Sequence, residues 1–385
     1  MKNQLTISIL TLLAACGGKE PESTEQKNIL ENLTYTVDTV LVDPGEDFLI
    51  IANGLYPYSL TEDKTKLYFF ERDPYKLVEV DLDNLVVLKK TEFEAEGPDG
   101  IGSYLSGLEI GRDGNIFLKS NNTIGIFDQN AKKSKDLKFV PSGIDSTLAK
   151  SYNALYSNSV YDFGTQKIYS RPSFADAGEY GLFILNPETQ VARSLPIPKM
   201  KIIDDYTGTL IFKNEAGMEI LSFYFVGSFI TLLPSELIIS TAAMSGFYHM
   251  DLQTEKMKFI DIQHQSVPNE MKIEIPKNPS DPEQVSEIQN KIFEHVNFQE
   301  MLWDNSRQTY FRFGVKTFDG KSQGDPTTYE IHLFAYDKDF NVLGETKMEK
   351  LKTVPSYAFF KDGKLWSYVN VEDELGFAVF TFDFN

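Results

Sequence analysis

Six copies of one short pattern constrain the fold of this chain more than any other feature. In each copy an apolar strand segment ends in an Asp or Asn turn, and five of the turns lead into a second strand segment. Asp and Asn favour such turns because their side chains accept hydrogen bonds from the backbone two residues later. We interpret each copy as the link between the third and fourth strands of a propeller blade, which predicts six blades. The copies start at Val80, Phe127, Leu185, Met250, Tyr336 and Phe382.

The last copy lies at the end of the chain and leaves its blade one strand short. Residues 356–360, 364–369 and 376–382 supply only three strand segments. A missing outer strand would leave an exposed edge, and residues 33–42 form a strand segment that no other blade needs. We therefore predict an all-β fold, a six-bladed β-propeller whose last blade is closed by the N-terminal strand. A β-sandwich with ragged edges is the alternative.

The N-terminus has the features of an exported lipoprotein. Lys2 provides a positive charge, residues 5–13 are mostly apolar, and Leu13-Ala14-Ala15-Cys16 has the form of a lipobox. Residues 1–15 are thus predicted to be a signal peptide, and Cys16 the site of lipidation. The apolar run is shorter than the roughly 20 residues of a membrane-spanning helix. An ordinary signal peptide with an incidental cysteine is the alternative.

Residues 16–32 are polar and charged, which predicts a flexible tether between the lipid and the propeller at 33–385. Gly17 after the cysteine argues against retention in the inner membrane by resemblance to bacterial sorting rules. Lys19-Glu20-Pro21-Glu22 partly resembles a surface-export signal of Bacteroidota. The predicted location is therefore the cell envelope, at the outer membrane, with the periplasmic and the surface side both open.

One stretch carries a resemblance to a known family. Residues 107–118, Gly-Leu-Glu-Ile-Gly-Arg-Asp-Gly-Asn-Ile-Phe-Leu, resemble the start of an NHL-type blade, and residues 96–102 resemble a Gly-Pro-rich loop of Bacteroidota propeller lipoproteins. The chain is similar to an uncharacterised family of six-bladed, NHL/TolB-like propeller lipoproteins that contain a domain of unknown function. The resemblance implies a fold and a location, and it supplies no catalytic residues.

The predicted blades have two different faces. Links between first and second strands, and between third and fourth strands, are short; we call this side the short-turn face. Links between second and third strands, and between blades, form the long-loop face, where binding sites are expected because long loops on a rigid scaffold often bind ligands. The long links are residues 96–104, 141–152, 171–181, 263–298 and 316–329.

Polar and aromatic residues on the long-loop face are the candidate ligand-binding residues, suited to a sugar or a peptide. They are Arg72, Tyr75, Asp99, Tyr104, Asn122, Arg171, Phe174 and Tyr180. The longest link is also predicted to contain a helix near 281–297, because Asp281 can cap it and Pro282 suits its first turn. The helix is expected to pack over a blade edge or the rim; a lid over the channel is the alternative.

Several kinds of chemistry have no support in the sequence. Cys16 is the only cysteine, and the four histidines have no partner at metal-ligand spacing, so neither a metal nor another cofactor is predicted. The net charge of −19 disfavours nucleic acid as a partner. The expected function is non-enzymatic binding of a glycan, a peptide or an envelope protein, with the membrane as a second partner through the lipid. A glycan lyase or hydrolase acting in the central channel is the alternative.

Overall fold

The computed structural model describes residues 27–46, 48–51, 54–138, 158–171, 180–214, 216–276, 278–320 and 324–384. The predicted signal peptide, Cys16 and Phe174 lie outside the described residues. The described strands form six four-stranded antiparallel sheets and one two-stranded sheet. The first strands of successive four-stranded sheets contact one another around a common centre. This arrangement confirms the prediction of an all-β, six-bladed propeller.

The first strand, β1 (Thr34–Leu41), belongs to the last blade. Blades 1 and 2 contain β2 (Tyr58–Leu60), β3 (Lys66–Glu71), β4 (Lys76–Asp81), β5 (Val86–Glu92), β6 (Gly107–Ile110), β7 (Ile116–Lys119), β8 (Ile124–Phe127) and β9 (Lys133–Asp136). Blade 3 contains β10 (Asn158–Asp162), β11 (Lys167–Arg171), β12 (Gly181–Asn186) and β13 (Val191–Pro196).

A helical turn and a hairpin separate blade 3 from blade 4. They comprise a 3-10 turn (Pro198–Lys201), α1 (Ile202–Asp205), β14 (Gly208–Lys213) and β15 (Glu219–Tyr224). Blade 4 contains β16 (Ser228–Leu232), β17 (Glu236–Thr241), β18 (Phe247–Asp251) and β19 (Met257–Ile260). The helix α2 (Pro282–Glu294) follows. Blades 5 and 6 contain β20 (Asn297–Asp304), β21 (Thr309–Phe318), β22 (Thr328–Tyr336), β23 (Val342–Lys347), β24 (Phe359–Lys361), β25 (Lys364–Val371) and β26 (Glu374–Asp383).

The two ends of the chain meet in blade 6. Strand β1 pairs antiparallel with β26, from Thr34 opposite Asp383 to Leu41 opposite Gly376. The ring of Tyr35 lies 5.8 Å from that of Phe380. The predicted closure of the last blade by the N-terminal strand is therefore confirmed.

Acidic and amide side chains hold the turns between third and fourth strands. Asp81 Oδ1 accepts hydrogen bonds from the backbone N–H groups of Asp83 and Asn84, at 2.8 and 2.9 Å. Asp128, Asn186, Asp251 and Asp337 accept equivalent bonds in the corresponding turns of blades 2 to 5. These local bonds explain why the repeated sequence pattern marks the blade positions.

The hydrophobic core is divided into six clusters, each between two neighbouring blades. Between blades 2 and 3, for example, the rings of Phe117 and Tyr161 stack at 5.2 Å. Between blades 6 and 1, Phe377 and Trp366 share a cluster with Phe69. Because every blade borders two clusters, the ring must close to bury all of them.

A fully buried arginine joins blades 4 and 5. Arg312 donates hydrogen bonds to three backbone carbonyl oxygens, those of Gln299 (2.7 Å), Ser245 (2.7 Å) and Thr241 (3.1 Å). Its guanidinium carbon lies 5.0 Å from the centre of the Phe298 ring. Burial lowers the pKa of Arg312 to about 10, so the side chain stays charged at neutral pH. The carbonyls and the ring compensate for the lost hydration of this charge.

The helix α2 begins in the segment where the sequence predicts one. The Asp281 side chain caps it by accepting a bond from the backbone N–H of Gln284, at 2.9 Å. Val285, Ile288 and Ile292 face the cluster between blades 3 and 4. The helix packs against the hairpin β14–β15 and against β21, on the rim. No described helix is long and apolar enough to cross a membrane.

Tyr35 tests the contribution of the closing strand. Its ring contacts Phe380 and Phe382, and its buried hydroxyl makes no hydrogen bond in the described part of the chain. We expect Tyr35→Ala to lower the free energy of unfolding by about 1–3 kcal/mol because the ring contacts are lost. Tyr35→Phe should change it by less than about 1 kcal/mol. Urea denaturation measures both, and equal effects of the two variants would contradict this role.

Arg312 tests the buried charge. Arg312→Met keeps most of the side-chain volume and leaves three buried carbonyl oxygens without donors. We expect a loss of about 3–5 kcal/mol in the free energy of unfolding. The control Arg193→Met removes a partly exposed ion pair with Glu255 and should cost less than about 1 kcal/mol. A similar small loss for both variants in urea denaturation would show that Arg312 is dispensable.

Candidate functional site

The first strands of the six blades surround a central channel of about 2110 Å³. Its wall also includes the turns between first and second strands of all six blades, so the channel extends to the short-turn face. At the other end it reaches Tyr56, Ser106 and Ser228, which lie in or next to the connections between blades. The channel thus runs through the ring from one face toward the other.

Two glutamates from different blades lie in the channel wall. Glu109 is on β6 and Glu300 is on β20. Glu300 Oε1 accepts a hydrogen bond from Thr231 Oγ1 on β16, at 3.0 Å. Both carboxyl groups are enclosed by the ring and are still partly accessible to water through the channel.

The enclosure changes the protonation of both glutamates. Burial, assisted by the charge of Glu300, raises the pKa of Glu109 to about 8, although Lys64 opposes the rise. Burial also raises the pKa of Glu300, against the effect of the Thr231 hydrogen bond. At neutral pH Glu109 is therefore mostly protonated and can donate a hydrogen bond to a ligand as well as accept one.

Lys64 and Tyr58 are two further polar residues of the wall. Lys64 lies in the turn between β2 and β3, and burial lowers the pKa of its amine while Glu109 opposes this shift. Burial and the nearby charges of Glu300 and Glu109 raise the pKa of Tyr58. The phenol therefore stays neutral at physiological pH. The wall therefore offers both hydrogen-bond donors and hydrogen-bond acceptors to the channel.

An aromatic group lies where the channel meets the long-loop face. We call Tyr56, Tyr58 and Tyr357 the tyrosine group. The rings of Tyr58 and Tyr357 meet edge to face at 5.4 Å. Tyr56 is half exposed, and its hydroxyl donates a hydrogen bond to the backbone oxygen of Ser106 in the connection to blade 2, at 2.8 Å. Open aromatic surface thus adjoins the polar channel.

Two of the predicted ligand-binding residues lie near the tyrosine group. Tyr104 is exposed and precedes Ser106 by two residues. Arg72 lies close enough to Tyr56 for its charge to oppose the rise in pKa that burial and Tyr357 cause there. Both residues therefore lie on the blade 1 and blade 2 side of the channel mouth.

The other described candidates are more dispersed. Tyr75 packs against Phe70 between blades 1 and 2, with ring centres 6.4 Å apart. Asp99 accepts hydrogen bonds from Lys132 and from the backbone of Lys133, at 3.1 and 3.0 Å. Asn122 is exposed next to Gly102.

Arg171 and Tyr180 lie on the side of blade 3. Arg171 is buried, and its Nη2 donates a hydrogen bond to Ser228 Oγ in the channel wall, at 2.5 Å. Burial lowers the pKa of Arg171 to about 10. Tyr180 is partly buried against the cluster between blades 3 and 4. None of the seven described candidates is itself a wall residue of the channel.

Sequence comparison identifies the family. The family described as "Domain of unknown function (DUF4221)" matches residues 26–347. The chain belongs to the DUF4221 family. A comparison with curated proteins finds no match.

A solved structure from the same family has a similar fold. The crystal structure of a DUF4221 member from Bacteroides vulgatus is similar with a TM-score of 0.59 and 14% identity, over 91% of this chain and 98% of that chain. A second protein, from Bacteroides fragilis, has a TM-score of 0.48 and 10% identity, over 91% of this chain and 95% of that chain. The resemblance to Bacteroidota propellers in the sequence is thereby confirmed at the level of fold and family.

The channel glutamates of this DUF4221 chain were not among the sequence candidates. Their signal in the sequence is a charged residue inside a first strand, as in Gly107-Leu108-Glu109-Ile110. Such a residue is easily interpreted as solvent-facing, because alternation alone does not tell a channel from open solvent. Within the described residues, no group of three or more metal-ligating side chains is present.

Glu109 predicts a specific pH dependence of stability. An acid whose pKa is raised on folding holds its proton in the folded state and loses it in the unfolded state, so stability falls as pH rises between the two pKa values. For Glu109 this window runs from its ordinary value of 4.5 to about 8. We expect Glu109→Gln to flatten the fall in unfolding free energy across this window. The exposed control Glu219→Gln should leave the slope unchanged, and an unchanged slope for Glu109→Gln would contradict the shift.

Proposed function

We propose that this protein is a non-enzymatic binding module of the cell envelope that holds a glycan or a peptide at the long-loop mouth of its channel. The proposal rests on one observation, which is that an aromatic surface and a polar surface adjoin each other at the channel mouth. Exposed tyrosine rings adjoin a channel whose wall contains Glu109, Glu300 and Lys64. Ligand sites commonly combine apolar or aromatic surface with a few hydrogen-bonding groups that set orientation.

The chemistry of the wall suits a polar ligand without a strong negative charge. The protonated carboxyl of Glu109 can donate a hydrogen bond to a sugar hydroxyl or to a peptide carbonyl. Glu300 and the tyrosine hydroxyls can accept from hydroxyl or amide groups. The rings of Tyr56 and Tyr104 offer flat apolar surface for the less polar side of the same ligand.

The proposed location rests on the N-terminal sequence. Residues 1–15 would direct export, and a lipid on Cys16 would hold the propeller at the outer membrane, on its periplasmic or its surface side. The membrane is then a partner through the lipid, and an envelope protein is a further ligand class for the long-loop face. Of the predicted tether at 16–32, the residues before Lys27 would connect the lipid to the propeller, since Asn28 is bonded to blade 5 and Leu30 is buried in the cluster between blades 5 and 6.

The raised pKa values of Glu109 and Glu300 favour a second candidate, a glycan hydrolase or lyase. A carboxylic acid that keeps its proton near neutral pH can act as a general acid on a leaving group. In that case Glu109 would protonate the glycosidic oxygen. The two functions differ in whether a bound glycan is released unchanged or cleaved.

Binding and cleavage can be measured on the same variants. We expect glycan-array or peptide-array ligands captured by the wild type to bind at least about tenfold more weakly to Glu109→Ala and to Tyr104→Ala, since each removes a hydrogen-bonding or stacking group worth about 1.4 kcal/mol. Glu219→Ala, on the exposed hairpin, is the matched control. Tyr75→Phe should leave binding unchanged, because that ring packs between blades.

Three results would separate the proposals. Unchanged binding by both Glu109→Ala and Tyr104→Ala would rule out the channel mouth as the site. If Arg171→Ala weakened ligand binding and the other two variants did not, the site would lie nearer to blade 3. Cleavage products that form with the wild type and disappear with Glu109→Gln would favour the enzyme.

A further inference from the structure

The hairpin β14–β15 presents an apolar face to solvent. Ile211 on β14 lies directly opposite Leu221 on β15, and Phe223 follows on the same face. The ring of Phe223 is 5.8 Å from that of Phe225. These four side chains are between 46% and 67% exposed. We call Ile211, Leu221, Phe223 and Phe225 the hairpin patch. Contiguous exposed apolar side chains usually mark an interaction surface.

The hairpin is held in place by the rest of the protein. Its other face contributes the buried Tyr224 to the cluster between blades 3 and 4, which also includes Ile288 and Ile292 of α2. The Gln289 side chain accepts a bond from the backbone N–H of Phe225 at 2.9 Å and donates one to its oxygen at 3.2 Å. The patch is thus an ordered surface whose apolar side chains have nothing packed over them within the described part of the chain.

The N-terminal segment joins the propeller next to the connection that carries α2. The Asn28 side chain donates a hydrogen bond to the backbone oxygen of Glu345, at 2.9 Å. The Glu345 carboxylate accepts bonds from the backbone of Gln265 and Ser266, at 2.9 and 3.0 Å, in the connection that carries α2. The helix α2 of that connection packs against the hairpin. The N-terminal segment therefore joins the propeller at the outer edge of blade 5, beside the connection on which the hairpin rests.

We propose that the hairpin patch inserts into the interface of a lipid bilayer and fixes the orientation of the anchored propeller. This inference rests on the lipid anchor of the proposed function. From Cys16 to Lys27 the chain can span at most roughly 40 Å, which keeps the edge of blade 5, where Asn28 binds, near the membrane surface. Apolar side chains on an ordered element bury themselves at the boundary between headgroups and acyl chains. A lipid on a flexible tether leaves the propeller free to rotate, so a second contact is needed to fix its orientation.

The orientation is compatible with the proposed binding site. The hairpin lies between blades 3 and 4, and Asn28 lies at blade 5. Tyr104 and the tyrosine group belong largely to blades 1 and 2, on the opposite side of the six-bladed ring. A bilayer against the hairpin would therefore leave this part of the channel mouth open.

Fluorescence quenching tests the contact without depending on native lipidation. The full mature chain with Cys16→Ser and an N-terminal histidine tag is tethered to phosphatidylcholine vesicles that contain a nickel-chelating lipid. Phe223→Trp reports on the patch, and Val191→Trp, exposed beside a turn of the short-turn face, is the matched control. With lipids brominated near the acyl boundary, we expect a blue shift and loss of emission for Phe223→Trp only.

A second variant and a second readout keep the alternatives apart. Adding Leu221→Asp to Phe223→Trp should abolish the quenching, because an exposed position can accept the charge in water but not in the interface. Unquenched Phe223→Trp on tethered chains would overturn the inference. In the absence of vesicles, light scattering could give twice the monomer mass while the tryptophan of Phe223→Trp is shielded from water. That result would show that a second copy of the chain covers the patch, and it would also overturn the inference. The mass of the N-terminal peptide from cell envelopes tests lipidation of Cys16 independently.

Discussion

The pairing of β1 with β26 is the constraint on which the rest of the ring depends. Each of the six core clusters lies between two blades, so an incomplete blade 6 weakens the clusters on both of its sides. Strand β1 contributes Tyr35 to one of these clusters and Val40 to the other. The contact also joins the two ends of the described chain, so the paired strands are separated by all the intervening blades. Such non-local pairing is slow compared with the formation of hairpins within a blade.

The ring places charged groups in its interior in two different ways. Arg312 has no access to water, and its charge is compensated by three carbonyl oxygens and an aromatic ring. Glu109 and Glu300 face a channel that water can enter, and their pKa values rise instead. The first arrangement joins two blades, and the second leaves hydrogen-bonding capacity available to a ligand. The difference follows from position, since Arg312 lies on a second strand and the glutamates lie on first strands that line the channel.

The fold could be predicted because its signals are local. Asp81, Asp128 and Asp337 mark the ends of third strands through bonds to neighbouring backbone groups, and these bonds do not depend on the rest of the ring. The hairpin β14–β15 was not predicted, since the repeated pattern has no place for an additional two-stranded sheet. The channel glutamates were missed because their environment depends on strands from distant parts of the sequence. Loop residues such as Tyr75 and Asp99 were identified by type, and their intramolecular partners become visible only in the folded chain.

The carboxylates of the turns share the short-turn face with ion-paired cations. The side chains that accept backbone hydrogen bonds within their own turns there include Asp81, Asp128, Asp251 and Asp337. These backbone hydrogen bonds lower the pKa of Asp128 and Asp251, which favours their ionised form. On the same face, Arg112 forms an exposed ion pair with Glu62. Added salt screens such exposed pairs, whereas the turn carboxylates keep backbone donors only two or three residues away, so the contacts that specify the blades persist at high ionic strength.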